Sequence, residues 1–219
     1  MARGRVIETN EGIQEHVTVA QYDAMQRGLR DKGFMETRDL IASGIDSGTA
    51  VEIGPGPGYL GLEWLSATED TRLIAVEISS EMIRTAEKNR GEYGLGGRAE
   101  YRTGNAMEMP VDASSADAVF SNGSMHEWEN PLAVITEAHR VLRPGGRLFI
   151  SDLKRNLNPL ILMMLRLLTK GPEMKAGLVS SIRAAYVADE LRRLMEWSPF
   201  GEFRIGTSPF GLKIEARKA

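Results

Sequence analysis

The sequence predicts an α/β fold built on a doubly wound, mostly parallel sheet of seven strands. Three observations lead there. From about residue 48 onward, short apolar runs alternate with segments whose apolar residues recur every three or four positions. The first of those runs passes straight into a glycine-rich turn and then into a helical pattern. The 219 residues also suffice for one α/β domain with a substantial core.

Taken in order, the first 45 residues read as a helical cap, with Val19, Ala20, Tyr22, Met25 and Leu29 on an amphipathic pattern that begins at Val17 and reaches Leu40-Ile41. Residues 46–155 form the predicted core. Its strands cover 49–53 (TAVEI), 73–78 (LIAVEI), 99–102, 116–121 (ADAVFS) and 147–152 (RLFISD), and its helices cover 59–66, 80–90 and 131–141. Ser79-Ser80 before Glu81 supplies a helix start, and Pro144-Gly145-Gly146 a stop. Such alternation covers a parallel sheet with helices on both faces. Residues 156–183 read as a helical insertion around the apolar stretch 158–168 (NPLILMMLRLL), closed by Gly171-Pro172. The remaining residues, 184–219, hold a helix over roughly 184–197 and strands at 202–206 and 211–216, the last one antiparallel. All of this is expected to be one domain.

Composition narrows the function. The net charge is −3, and 27 Lys and Arg are scattered among 30 Asp and Glu. Nothing resembles the basic stripe with which proteins grip nucleic acid. The absence of cysteine excludes disulfides, thiolate metal sites and cysteine nucleophiles, and it fits a reducing cytoplasm. Met1 to Arg5 lead into Glu8, Asn10 and Glu11 rather than an apolar segment, so no signal peptide is expected. No apolar run is long enough for an integral membrane segment. His16, His126 and His139 are far apart, without metal-ligand spacing.

The densest motif is Val51-Glu52-Ile53-Gly54-Pro55-Gly56-Pro57-Gly58. Glycines there admit backbone conformations closed to other residues and let a ligand approach the chain. Gly56-Pro57-Gly58-Tyr59-Leu60-Gly61 also matches the dinucleotide pattern G-x-G-x-x-G literally, which keeps a nicotinamide-dependent oxidoreductase as an alternative. The register opposes it. The glycine that closely follows the strand is Gly54, and from there the third glycine position falls on Tyr59.

The frame Glu52-x-Gly54-x-Gly56-x-Gly58 resembles motif I of class I S-adenosylmethionine-dependent methyltransferases, where the turn wraps the methionine part of the cofactor. That resemblance implies a Rossmann-like methyltransferase fold and makes Glu52, Gly54, Pro55, Gly56 and Gly58 ligands of S-adenosyl-L-methionine. Glu77 ends the second strand, where a carboxylate can accept bonds from both ribose hydroxyls. It is followed by Ile78, and the run Val76 to Met82 resembles the family's segment at this place. Asn105-Ala106 stands where the family usually has Asp; the Asn105 carbonyl can still accept from the adenine amino group. The run Ala116 to Trp128 resembles motif IV, implying that Ser121, Asn122 and the residues up to His126 pass beside the sulfonium. Its Asn-Pro-Pro-Tyr version is absent, which argues against exocyclic amines as acceptors. Glu137 to Ile150 resembles the family's helix–turn–strand signature. The register is nearest the small-molecule branch that includes ubiquinone and menaquinone C-methyltransferases.

Methyl transfer from a sulfonium needs alignment and exclusion of water, and a base only when the acceptor sheds a proton. His126 is the candidate base, against the plainer reading of a loop histidine that packs. Tyr22, with Asp23, resembles a segment that folds over the cofactor. If 156–183 is a lid, Met163 and Met164 line an apolar acceptor pocket; a homodimer interface or a membrane contact are the other readings of that stretch. The expected partner is a small-molecule methyl acceptor, with no metal. A methyltransferase-like subunit that binds without catalysis is the non-enzyme alternative. Glu127 and Asp152 read as solvated or strand-end residues.

Overall fold

The computed structural model describes residues 4–6 and 16–219, so part of the expected cap, 1–3 and 7–15, lies outside the described residues. The elements are α1 (His16–Asp31), α2 (Thr37–Ala42), β1 (Thr49–Ile53), α3 (Tyr59–Ala67), β2 (Arg72–Glu77), α4 (Ser80–Tyr93), β3 (Ala99–Thr103), β4 (Ala116–Asn122), α5 (Pro131–Val141), β5 (Leu142–Leu153), α6 (Pro159–Leu168), α7 (Pro172–Ala184), α8 (Ala188–Glu196), β6 (Phe203–Thr207) and β7 (Gly211–Arg217). They build one seven-stranded sheet in the order β3-β2-β1-β4-β5-β7-β6. Strands β1 to β5 pair in parallel, and β7 runs antiparallel to both β5 and β6.

Strand alternation divides the core between the two faces of the sheet. Val51, Ile53, Val119, Leu148 and Ile150 pack with Val134, Ile135 and Ala138 of α5 and Leu191 and Met195 of α8. Ala50, Ala118, Phe120 and Phe149 point the other way, onto Leu40 of α2 and Leu60, Trp64 and Leu65 of α3. Trp64 is fully buried and donates Nε1–H to the Ile45 carbonyl at 2.8 Å, so its polar edge is satisfied inside the core. Glu52 shares the parity of Ala50. A carboxyl group is thereby driven into this second layer, a point that matters below.

The order reverses between β1 and β4, which opens a crevice at the carboxyl ends of the strands. Two predicted features need correction. A helix, α7, occupies 172–184, and the helix expected over 184–197 shrinks to α8. Pro172 in its first turn, Glu173 behind it, and Met174, Leu178 and Ile182 at four-residue spacing were the available signals. Also, α5 runs directly into β5, with Pro144-Gly145-Gly146 inside the strand: Leu142 pairs with Ala116, and the register shifts before Ala118 meets Arg147. Gly146 is required there, because a Cβ would sit 2.9 Å from the Arg143 carbonyl oxygen. Among the described residues, no helix is long and apolar enough to cross a membrane.

Candidate active site

The crevice holds a cavity lined by the whole glycine turn except Gly58, by the ends of β2 and β4, and by α1. Gly54, Gly56 and Gly58 all have positive φ, at 63°, 53° and 86°. These left-handed conformations fold the turn tightly enough for Gly58 to cap α3, and its N–H donates to the Pro55 carbonyl at 2.9 Å. A Cβ at Gly54 would lie 2.5 Å from Ser124 Oγ, whereas one at Gly56 would meet only Tyr22 Cε1, at 3.5 Å. Gly56 therefore presents bare backbone to the cavity beneath the Tyr22 ring.

Helix α1 is held over the turn by a polar network. Asp23 Oδ1 accepts from the Tyr59 hydroxyl and from Asn89 Nδ2, each at 2.9 Å, and Asn89 Nδ2 also donates to the Pro57 carbonyl. This network places Tyr22 and Gln26 on the cavity wall. Burial pushes the Tyr22 hydroxyl up to about 12, so it stays protonated, and it accepts from Gln26 Nε2 at 3.0 Å.

Glu77 is 7% exposed, with both carboxylate oxygens in use: Oε2 accepts from Gly56 N–H at 3.1 Å and Oε1 from Ser79 N–H at 2.9 Å. Burial raises its pKa, and these backbone donors, with that of Ile78, oppose the rise. Each oxygen keeps lone-pair capacity for a further donor. Glu52 is 2% exposed, and its Oε2 has no partner. Burial pushes this carboxyl up to about 8, opposed by the Gly61 N–H and reinforced by the charge of Glu77. Gly61 makes the burial feasible, since any Cβ there would lie 2.3 Å from Glu52 Oε2.

That raised pKa gives a pH dependence. Between the ordinary 4.5 and about 8, the folded chain holds a proton on Glu52 that the unfolded chain has released. The resulting stability is complete below about pH 4.5 and lost as pH rises through about 8, at up to about 1.4 kcal/mol per pH unit. Glu52→Gln, neutral throughout, should therefore gain thermal stability relative to the ligand-free wild type between about pH 5 and pH 9. Parallel melting curves across that range would refute the assignment.

Several predicted site residues fall elsewhere. Ser121 is fully buried and donates Oγ–H to the Ile53 carbonyl at 2.8 Å, tying β4 to β1 instead of facing the cavity. The strand extends one residue further than predicted, so the cavity meets Asn122, Gly123 and Ser124. Gly58 shapes the turn from below, under Tyr101. Asn105 and Ala106 do line the cavity, but Asn105 Oδ1 already accepts from Met107 N–H at 2.9 Å, so only its second lone pair remains for a ligand. His126 is 4% exposed and does not line the cavity. Its Nδ1 lies 2.9 Å from Asp152 Oδ1, and its backbone N–H donates to Asp152 Oδ2 at 2.7 Å, which pins the loop after β4 onto the end of β5. Asp152 is therefore a buried partner and no solvated strand end. Met163 and Met164 are exposed on α6 and touch no part of the cavity.

Sequence reasoning included Ser124 in the stretch up to His126 but missed Glu127, Trp128 and Glu129, which also line the cavity. The signal lay in Gly123, whose positive φ turns the chain back over the strand ends, and in Trp128, whose Nε1–H bonds Ser124 Oγ at 2.8 Å. Four acidic side chains line the cavity, Glu52, Glu77, Glu127 and Glu129, of which Glu52 holds its proton at neutral pH. Among the described residues no Lys, Arg or His lines it, and none of their acidic groups or histidines cluster as a metal site.

Comparison with known proteins agrees with this geometry. A family model described as a methyltransferase domain matches residues 51–150. A malonyl-[acyl-carrier protein] O-methyltransferase from Hahella chejuensis is 38% identical over 157 residues, covering 70% of this chain and 53% of that protein. The chain thus spans about half the length of that curated relative. A demethylmenaquinone methyltransferase from Roseiflexus castenholzii is 27% identical over 190 residues, covering 80% of this chain and 77% of the relative. Among solved structures, a Methanococcus maripaludis protein assigned to the S-adenosyl-L-methionine-dependent methyltransferases superposes with a TM-score of 0.77 at 23% identity, over 98% of both chains. The fold is the Rossmann-like methyltransferase fold.

Proposed function

We propose, from the match of residues 51–150 to a methyltransferase-domain model, that this chain methylates a small, partly apolar molecule with S-adenosyl-L-methionine. One observation carries the reading: four acidic side chains, Glu52, Glu77, Glu127 and Glu129, line the cavity, with no Lys, Arg or His among the described lining residues. Such a wall suits a ligand bearing a sulfonium and an ammonium group and repels the pyrophosphate of a nicotinamide dinucleotide.

The residues present fit that cofactor. The unpartnered Glu52 Oε2, buried beside a backbone that lacks any Cβ, is a vacant acceptor for an ammonium donor. Glu77 has lone pairs to spare for two ribose hydroxyls, and Ile78, Asn105 and Ala106 form the far wall for an adenine ring. When bound, the cofactor supplies a methyl group on a positively charged sulfur, open to displacement by an acceptor lone pair or carbanion. The chain contributes alignment and dryness: Tyr22 and Gln26 close the turn side, and Ser124, Glu127 and Trp128 bound the acceptor side. Of the two residues at 126 and 127, Glu127 reaches the cavity, so a proton shed by the acceptor goes to it, while His126 with Asp152 holds the loop.

The relatives named above differ in their acceptors, so the acceptor class is argued from the wall itself. A carboxylate or phosphate acceptor would face carboxylates, which leaves neutral or cationic acceptors. We further read the cap (1–45), the core (46–155), the helical insertion (156–183) and the closing segment (184–219) as parts of one domain, working in a reducing cytoplasm. Titration calorimetry should detect S-adenosylhomocysteine binding well below about millimolar, while NADH fluorescence stays unchanged. Absence of S-adenosylhomocysteine binding would sink the reading.

A further inference from the structure

Helix α6 is unusual among the described α-helices because none of its residues is buried. Its composition is nonetheless almost wholly apolar, PLILMMLRLL, with Arg166 the single charge. Ile161, Leu162 and Leu165 are half-buried, facing the body of the protein. The opposite stripe is Leu160, Met163, Met164, Leu167 and Leu168, at the i, i+3, i+4, i+7, i+8 spacing of one helix face, and these five side chains are 40% to 75% exposed. Isolated exposed apolar residues need no explanation, but five on one face of a ten-residue helix do.

Charge selects what covers them. Residues 159–184 carry Arg166, Lys170, Lys175 and Arg183 against Glu173 alone, a local +3 in a chain whose net charge is −3. A second copy of the chain docking through α6 would bring two such segments together, so like charges oppose that occupant. A lid over the cofactor cavity is opposed by position, since no α6 residue lines the cavity. At about 1.5 Å per residue the helix spans roughly 15 Å, too short to cross a bilayer and long enough to lie in its surface. Helix α6 follows β5, whose carboxyl end shares the cavity's edge of the sheet.

We propose that α6 docks this chain onto an anionic lipid surface, its apolar stripe entering the headgroup boundary and Arg166, Lys170 and Lys175 meeting lipid phosphates. An acceptor could then reach the site from the lipid phase; only this last step rests on the methyl-transfer reading.

Co-sedimentation of the full chain with vesicles tests the docking. It should bind vesicles of equimolar phosphatidylglycerol and phosphatidylcholine at least tenfold more tightly than phosphatidylcholine alone, and raised salt should weaken that binding. Leu167→Glu with Leu168→Glu, both on the exposed face, should reduce vesicle binding at least tenfold. The same variant should keep the wild-type melting temperature and affinity for S-adenosylhomocysteine. Failure of the wild type to sediment with the anionic vesicles overturns the proposal. So does a concentration-dependent dimer that the double variant abolishes, which would give the stripe to a second copy. A chain that binds vesicles but not S-adenosylhomocysteine would keep the docking and lose the proposed chemistry, so the two failures are separable.

Discussion

Glu77→Ala should weaken S-adenosylhomocysteine binding by roughly 100-fold. Hydrogen bonds to charged groups contribute on the order of 1.5–3 kcal/mol each, and two ribose hydroxyls on one carboxylate give about that ratio at the low end of the range, about 3 kcal/mol in all. The same substitution removes the acceptor of the Gly56 and Ser79 amides, at 3.1 and 2.9 Å, so the turn itself loosens. Glu77→Gln separates the contributions. It keeps the shape and one acceptor oxygen, and should weaken binding by only about tenfold. Calorimetry on the three proteins checks both values. An alanine variant within threefold of wild type would mean that the ribose is held elsewhere.

Features written contiguously were legible in the sequence, and features that depend on strand register were not. Strand β1, the glycine turn and the start of α3 are consecutive, so the positive φ angles at Gly54, Gly56 and Gly58 follow from the residues themselves. Glu77 could be read because a strand end places a side chain at the crevice whatever the rest of the sheet does. Ser121 could not. Whether it faces the crevice or β1 depends on where β4 stops, and the strand runs one residue beyond its apolar stretch. The pairing of His126 with Asp152 spans 26 residues and exists only because β4 and β5 are neighbours. For α6 the apolar composition was plain, but both of its faces are apolar, so periodicity could not say which one faces the protein. Glu52 was predicted as a cofactor residue, yet its raised pKa comes from burial, which the missing Cβ of Gly61 on α3 permits, reinforced by the charge of Glu77 on β2, and no local pattern brings these together.

A large stability loss is expected at Gly58, and the reason lies in what surrounds it. A Cβ at this position would stand 2.5 Å from the Tyr101 hydroxyl and 3.2 Å from Ala86 Cβ, on a residue with φ of 86°. The left-handed backbone alone costs an L-residue about 1–2 kcal/mol, and overpacking adds about 1–3 kcal/mol. For a chain of this length each kcal/mol lowers the melting temperature by about 2–4 °C, so Gly58→Val should lose roughly 5–15 °C. Gly56→Ala meets only ordinary contact with Tyr22 and should lose about a third of that. The Tyr101 hydroxyl is buried without a partner, so Tyr101→Phe removes no hydrogen bond and should be neutral or slightly stabilising by itself. Combined with Gly58→Ala it should recover part of the loss, because the obstructing oxygen is gone while the backbone strain stays. Thermal unfolding of these variants and of Gly58→Ala alone measures each contribution, and additive losses in the double variant would show that Tyr101 is not what confines residue 58.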